Sequence, residues 1–103
     1  MKEVKAVVQP HKLDQVFHNL HDIGNLPSVV TAEAKVTNVV PGFYETATMA
    51  KLELMVPDAL VEAVVQAIQS GAQTGQPGDG RIFIIPIEDS VVIRTGERGE
   101  EAR

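Results

Sequence analysis

From Lys2 to Val8 apolar and polar positions alternate, with Val4, Ala6 and Val8 on one side and Lys5 on the other, the period of two that a strand imposes. Pro10 closes that run. From Lys12 to Ile23 the period changes: Leu13, Val16, Phe17, Leu20 and Ile23 fall on one helical face, and Gly24 follows where a helix C-terminus favours it. After a turn at residues 25–27, Val30, Ala32, Ala34 and Val36 alternate with Thr31, Glu33, Lys35 and Thr37, the clearest two-faced strand in the chain. The stretch Val39 to Thr48 (VVPGFYETAT) has a Pro-Gly turn signal and two adjacent aromatics, Phe43 and Tyr44, without clean periodicity; it reads as a loop or distorted hairpin. Alternation resumes with Ala50, Leu52, Leu54 and Val56 against Lys51, Glu53 and Met55, until Pro57 ends it. Asp58 is placed to cap a second helix with Leu60, Val61, Val64, Val65 and Ile68 on its core face and its end at Gly71. A glycine-rich connection, TGQPGDG (Thr74–Gly80), leads into a β-branched run at Arg81–Ile87 broken only by Pro86, and a last short strand is expected over Ser90–Thr95.

Strand, helix, strand, strand, helix, strand is the order of a split βαβ unit, so the expected fold is α+β: a ferredoxin-like βαββαβ sandwich with a short extra C-terminal strand. Two helices then cover one sheet face. The other is expected to carry the Thr31, Glu33, Lys35 set and the Lys51, Glu53, Met55 set, with Val29, too apolar to be simply solvated, and subunit packing is the preferred explanation. The length of 103 residues fits one domain, residues 1–103. A domain of that size buries only roughly 60–70% of the surface its unfolded chain exposes, which makes oligomerisation a plausible remedy. The formal charge of −5 and only four aromatic residues, Phe17, Phe43, Tyr44 and Phe83, argue against nucleic acid, which needs a basic field and stacking platforms. An RNA-binding sheet is set aside for the same reason. With no cysteine, disulfides and thiolate sites are excluded. Neither a spanning helix nor a signal-peptide core is visible, so a cytoplasmic location is expected.

Two constellations could carry chemistry. In TGQPGDGR, Gly75, Gly78 and Gly80 leave backbone N–H groups unscreened and Arg81 adds a cation, an arrangement able to hold phosphate or to serve as a plain helix-to-strand turn. It lacks the Gly-Lys-Ser/Thr ending of a Walker loop. His11, His18 and His21 lie opposite the helix's core face with Asp14 and Asp22, and His18 and His21, three apart, are within reach of a divalent cation or form a solvated polar face. Enzyme templates fail: Ser28, Ser70 and Ser90 sit in no nucleophile elbow, and an acylphosphatase-like reaction would need an arginine where the chain has Gln9, Pro10, His11 and Lys12. Catalysis is not indicated.

The segments VPDALVEAVVQAI (Val56–Ile68) and TGQPGDGRIFIIPIEDSVVIRTGERG (Thr74–Gly99), with the opening KEVKAVVQPHKLDQVFHNLHDIG (Lys2–Gly24), resemble the PII signal-transduction family over most of the chain. The resemblance implies a homotrimer that binds adenine nucleotides in clefts between subunits and regulates a transporter or metabolic enzyme by contact, without being an enzyme itself. It assigns Gly78, Asp79 and Gly80 to the phosphate-cradling loop (residues 74–81), Arg81 to the place of a phosphate-binding lysine, Arg94 to one of two C-terminal phosphate-binding arginines, and Val7 and Met55 to the adenine pocket.

Departures from the family pattern sharpen these expectations. Val92 stands where the first paired arginine would be, so AMP or ADP is expected to be favoured over ATP. The family's long T-loop shrinks to residues 37–49, and Val36, Thr37, Asn38 and Val39 replace its Gly-x-Gly-Arg-Gln entrance, so standard 2-oxoglutarate sensing is not expected. Tyr44 lacks the context of the family's modified tyrosine and is read as an aromatic anchor of the short loop. The effector is then an adenine nucleotide with carbon status (bicarbonate) or nitrogen status as the sensed cue, and residues 94–103 form a C-terminal loop and tail. The alternative is a divalent-metal or metal-tolerance trimer on the same fold, with His18 and His21 as its site.

Overall fold

The computed structural model describes residues 1–26 and 28–99. Its strands are β1 (Lys2–Val8), β2 (Val30–Val40), β3 (Phe43–Val56) and β4 (Gly80–Pro86), and its helices α1 (Leu13–His21) and α2 (Val61–Ala72). The strands form one antiparallel sheet in the order β2-β3-β1-β4. This is the α+β sandwich the hydrophobic pattern predicts. Each helix is entered through one 3-10 turn, Pro10–Lys12 and Asp58–Leu60. Pro10 suits that place because a first-turn residue has no intrahelical use for an N–H.

Residues opposite one another in an antiparallel pair share a face. Val4, Ala6 and Val8 therefore join Leu54, Leu52 and Ala50 beneath the helices, where Val16 and Leu20 of α1 and Val61, Val64 and Ile68 of α2 close over them. Each large apolar side chain buried there stabilises the fold by about 1.5–3 kcal/mol relative to exposure. Phe17, expected on the core face of α1, sits at its edge and stays 37% exposed.

Where α1 and α2 meet, Asn19 Nδ2 donates to the Ala67 carbonyl at 3.0 Å and lies 3.2 Å from Ser70 Oγ. Gly71 does not end α2, as its position in the sequence implies. It is buried within the helix, and a Cβ there would stand 3.1 Å from the Cα and N of Val16, so the glycine serves the close approach of the two helices.

Three further expectations are corrected. Residues 39–48 form no irregular loop: β2 and β3 continue as a regular ladder to Val40↔Phe43, turned by Pro41 and Gly42, the latter at φ +94°. Proline followed by a glycine of positive φ is what a type II turn requires. The register also places Thr31, Glu33 and Lys35 opposite Leu52, Ala50 and Thr48, on the helix side of the sheet rather than the open side. Val30, Ala32, Ala34 and Val36 accordingly face the open side. β2 is an edge strand, so its apolar row need not point at the core under the helices. Lastly, Ser90–Thr95 is not a strand; a single Val91↔Arg98 bridge closes a tight loop, with the Val92 N–H on the Glu97 carbonyl at 2.9 Å and the Arg98 guanidinium on Asp89 at 2.7 Å. Pro86 is tolerated in β4 because that strand, too, is an edge. Pro27 of the expected turn at 25–27, and residues 100–103 of the expected tail, lie outside the described residues.

Candidate functional site

The glycine-rich loop is folded by its own aspartate. The Asp79 carboxylate accepts from the N–H groups of Thr74 at 2.7 Å and Gly75 at 2.9 Å, and from the Thr74 hydroxyl. These bonds, the hydroxyl's first among them, hold the Asp79 carboxyl below the usual carboxylate range, against a smaller opposing effect of desolvation. Residues Pro77–Asp79 make one 3-10 turn, and Gly80 leaves it at φ +111° to begin β4. A Cβ on Gly80 would stand 1.8 Å from the Val7 carbonyl oxygen, so the loop lies directly on β1. A third tie comes from Gln9, whose Nε2 donates to the Gly78 carbonyl at 2.6 Å.

On the open face of the sheet this loop borders a cavity of about 420 Å³. Val7, Val36, Ala47, Met49 and Phe83 form its apolar walls, Gln9 and Asn38 supply carboxamides, and Gly78, Gly80 and Arg81 line its cationic end. Val7 and Arg81 are register partners across β1 and β4, which brings the wall and the cation together. Arg81 has no ion-pair partner among the described residues, leaving its five donors available to a ligand's oxygens. A cavity with an apolar body, two amides and one cationic end suits a planar apolar group carrying a small anionic tail.

Of the residues singled out in the sequence, the structure thus gathers Val7, Gly78, Gly80 and Arg81. Asp79 does not line this cavity: it borders one of about 350 Å³ on the helix side, with Val8, Ile68, Ala72 and the shared Gly80 and Arg81, and its oxygens are used within the loop. Met55 pairs with Glu3, four residues beyond the Lys51 that pairs with Val7, or about 13 Å along the strand. Arg94 is exposed in the C-terminal loop, away from this cavity. His18 and His21 are exposed on α1, and no group of three or more ligating side chains able to hold a metal exists among the described residues. Nothing in the structure favours the metal-binding alternative. Gln9, Asn38, Met49 and Phe83 escaped the sequence reading. The first follows the strand directly, in QPHK, and was legible as a loop neighbour; the others depend on strand register.

The fold and the cavity define a class, an α+β domain with an open cavity on one sheet face, and the comparisons with known proteins specify it. The family model described as Nitrogen regulatory protein P-II matches residues 1–97. Nitrogen regulatory protein P-II of Rhodospirillum rubrum is 44% identical and that of Azospirillum brasilense 39%, each over 99% of both chains. The crystal structure of Arabidopsis thaliana PII bound to citrate superposes with a TM-score of 0.84 at 36% identity, covering 99% of this chain and 91% of that one. The chain belongs to the nitrogen regulatory protein P-II family, whose members are regulatory signalling proteins and not enzymes. Among the described residues no helix is long and apolar enough to cross a membrane.

Proposed function

We propose that this chain is a nucleotide-responsive regulator: a homotrimer that binds an adenine nucleotide in clefts between subunits and controls a partner transporter or metabolic enzyme in response to nitrogen or carbon status. The observation that carries the reading is the meeting of Val7, Gly78, Gly80 and Arg81 at one cavity, with an apolar wall at one end and a guanidinium beside a glycine loop at the other. A base against the wall and phosphate oxygens at the loop is the pairing this chemistry serves. Met55 lies about 13 Å along the strand from the cavity and Arg94 does not line it, so in this reading their part is to reach a neighbouring subunit's site. The projecting hairpin 37–49 is the contact element for the partner in this reading, with Val39, Phe43 and Tyr44 exposed at its tip.

The cavity holds one cation, Arg81, and Val92 leaves the C-terminal loop with Arg94 alone of the family's pair. A charge-assisted hydrogen bond contributes about 1.5–3 kcal/mol, so the nucleotide with the longest phosphate chain loses most. AMP or ADP should therefore bind more tightly than ATP. Calorimetric titration with the three nucleotides tests this, and absence of binding at millimolar nucleotide would overturn the reading. Val92→Arg should raise ATP affinity by at least about tenfold with little effect on AMP.

A further inference from the structure

Gln9 lines the cavity between its apolar wall and its glycine loop. It follows Val8 at the end of β1, two residues after the apolar wall at Val7, and its carboxamide reaches across to the glycine loop. A carbonyl oxygen can only accept, so the 2.6 Å contact with the Gly78 oxygen fixes which way the carboxamide is turned: its NH₂ faces the loop. The bond does two things. It satisfies a carbonyl dipole whose negative end would otherwise oppose an anion at the same loop, and it ties Gly78 to the end of β1. The remaining ties do not substitute for it. Asp79 binds the loop to its own first residues, Thr74 and Gly75, and the β1–β4 ladder holds Gly80 opposite Val8, which leaves Gly78 to the Gln9 side chain.

We propose that Gln9 is a positioning residue that holds the Gly78–Gly80 segment at a fixed distance from the apolar wall, so that a ligand's base and its phosphate are engaged together. This rests on the nucleotide-binding reading above and names a residue for it that the family resemblance does not supply. Removing the donor should weaken the phosphate end of the site and leave the wall intact. A net hydrogen bond lost in this way corresponds to about a three- to tenfold change in affinity.

The test uses the full chain with Gln9→Met, which keeps length and removes the donor, and Gln9→Lys, which restores a donor. Two measurements are made: calorimetric affinity for AMP and for adenosine, and amide hydrogen exchange of residues 78–80 without nucleotide. Gln9→Met is expected to weaken AMP three- to tenfold with adenosine unchanged, and to speed exchange in the loop at an unaltered thermal midpoint; Gln9→Lys is expected to restore the loop's protection. Equal weakening of AMP and adenosine, unchanged exchange, or the same fast exchange in Gln9→Lys would each overturn the proposal. If the wild-type chain binds no nucleotide, the functional reading fails, while the exchange experiment still decides whether Gln9 holds the loop.

Discussion

At φ +111° and with the Val7 carbonyl oxygen 1.8 Å from where a Cβ would stand, Gly80 has no room for a side chain, and the backbone of β1 or β4 would have to move to make any. Gly75 gives the comparison, since it has φ +88° and nothing within 4 Å of its added Cβ. Gly75→Ala should cost about 1 kcal/mol from the left-handed backbone alone, whereas Gly80→Ala should cost about 2 kcal/mol or more and weaken nucleotide binding. Urea denaturation of the two variants measures the difference, and equal losses would show that contact with Val7 does not constrain the loop. Asp79 allows a second prediction. Its folded pKa lies below the ordinary carboxylate value of 3.8, so its contribution to stability is present above that value and is lost as pH falls through the folded pKa. Asp58 and Asp89 are depressed as well, by hydrogen bonds from the N-terminal amine and Lys2 and from Arg98 respectively, and share the same acid range. Asp79→Asn should therefore flatten only part of the fall in urea midpoint between neutral and acid pH. A variant with the full wild-type slope would remove Asp79 from the account.

The elements whose apolar positions alternate or run unbroken were legible in the sequence, and the exposed end of the hairpin, where they do neither, was not. β1 and residues 50–56 of β3 lie over the core, so every second side chain must be apolar and the period of two is written into them. Residues 39–47 form an equally regular ladder, with Thr37 Oγ1 and Thr46 Oγ1 2.9 Å apart, yet both faces are exposed and neither need be apolar. Only Pro41-Gly42 marks the hairpin locally. The site divides on the same principle. Gly78, Gly80 and Arg81 are close in sequence and could be read together, while the walls at Val36, Ala47 and Met49 exist only once β2 and β3 have found their register. Helix pairing was misread at Gly71, where a terminator and a contact glycine look alike in sequence. Replacing an ordinary helical glycine by alanine gains about 0.5–1 kcal/mol. Gly71→Ala should instead destabilise by about 1–3 kcal/mol, because its methyl would meet the Val16 backbone at 3.1 Å and push α1 from α2. Thermal unfolding gives the sign directly, and a stabilised variant would mean the helices yield without cost.

At the scale of the molecule the open sheet face carries the argument. Val30 of β2 and Ile85 of β4 are exposed on it, at opposite edges of the sheet, and Glu3, Met55 and the cavity wall lie between them. A single chain of 103 residues gains nothing by leaving that row in water, and the two residues of the proposed site that miss the cavity, Met55 and Arg94, need a neighbour to serve it. Packing three copies through these faces answers both requirements, and assembly and ligand binding should then be lost together. Val30→Asp or Ile85→Asp places a carboxylate on the open face without touching the core, so the isolated fold should keep its helical circular dichroism. Sedimentation of the wild type should give a species near three times 11.1 kDa, and each variant should shift it towards the single-chain mass. AMP affinity should fall in proportion to the trimer lost, because the wall and loop of one chain remain while the neighbour's contribution departs. A variant that stays monomeric at every concentration and binds AMP as the wild type does would show that one chain suffices, and would return Met55 and Arg94 to the surface.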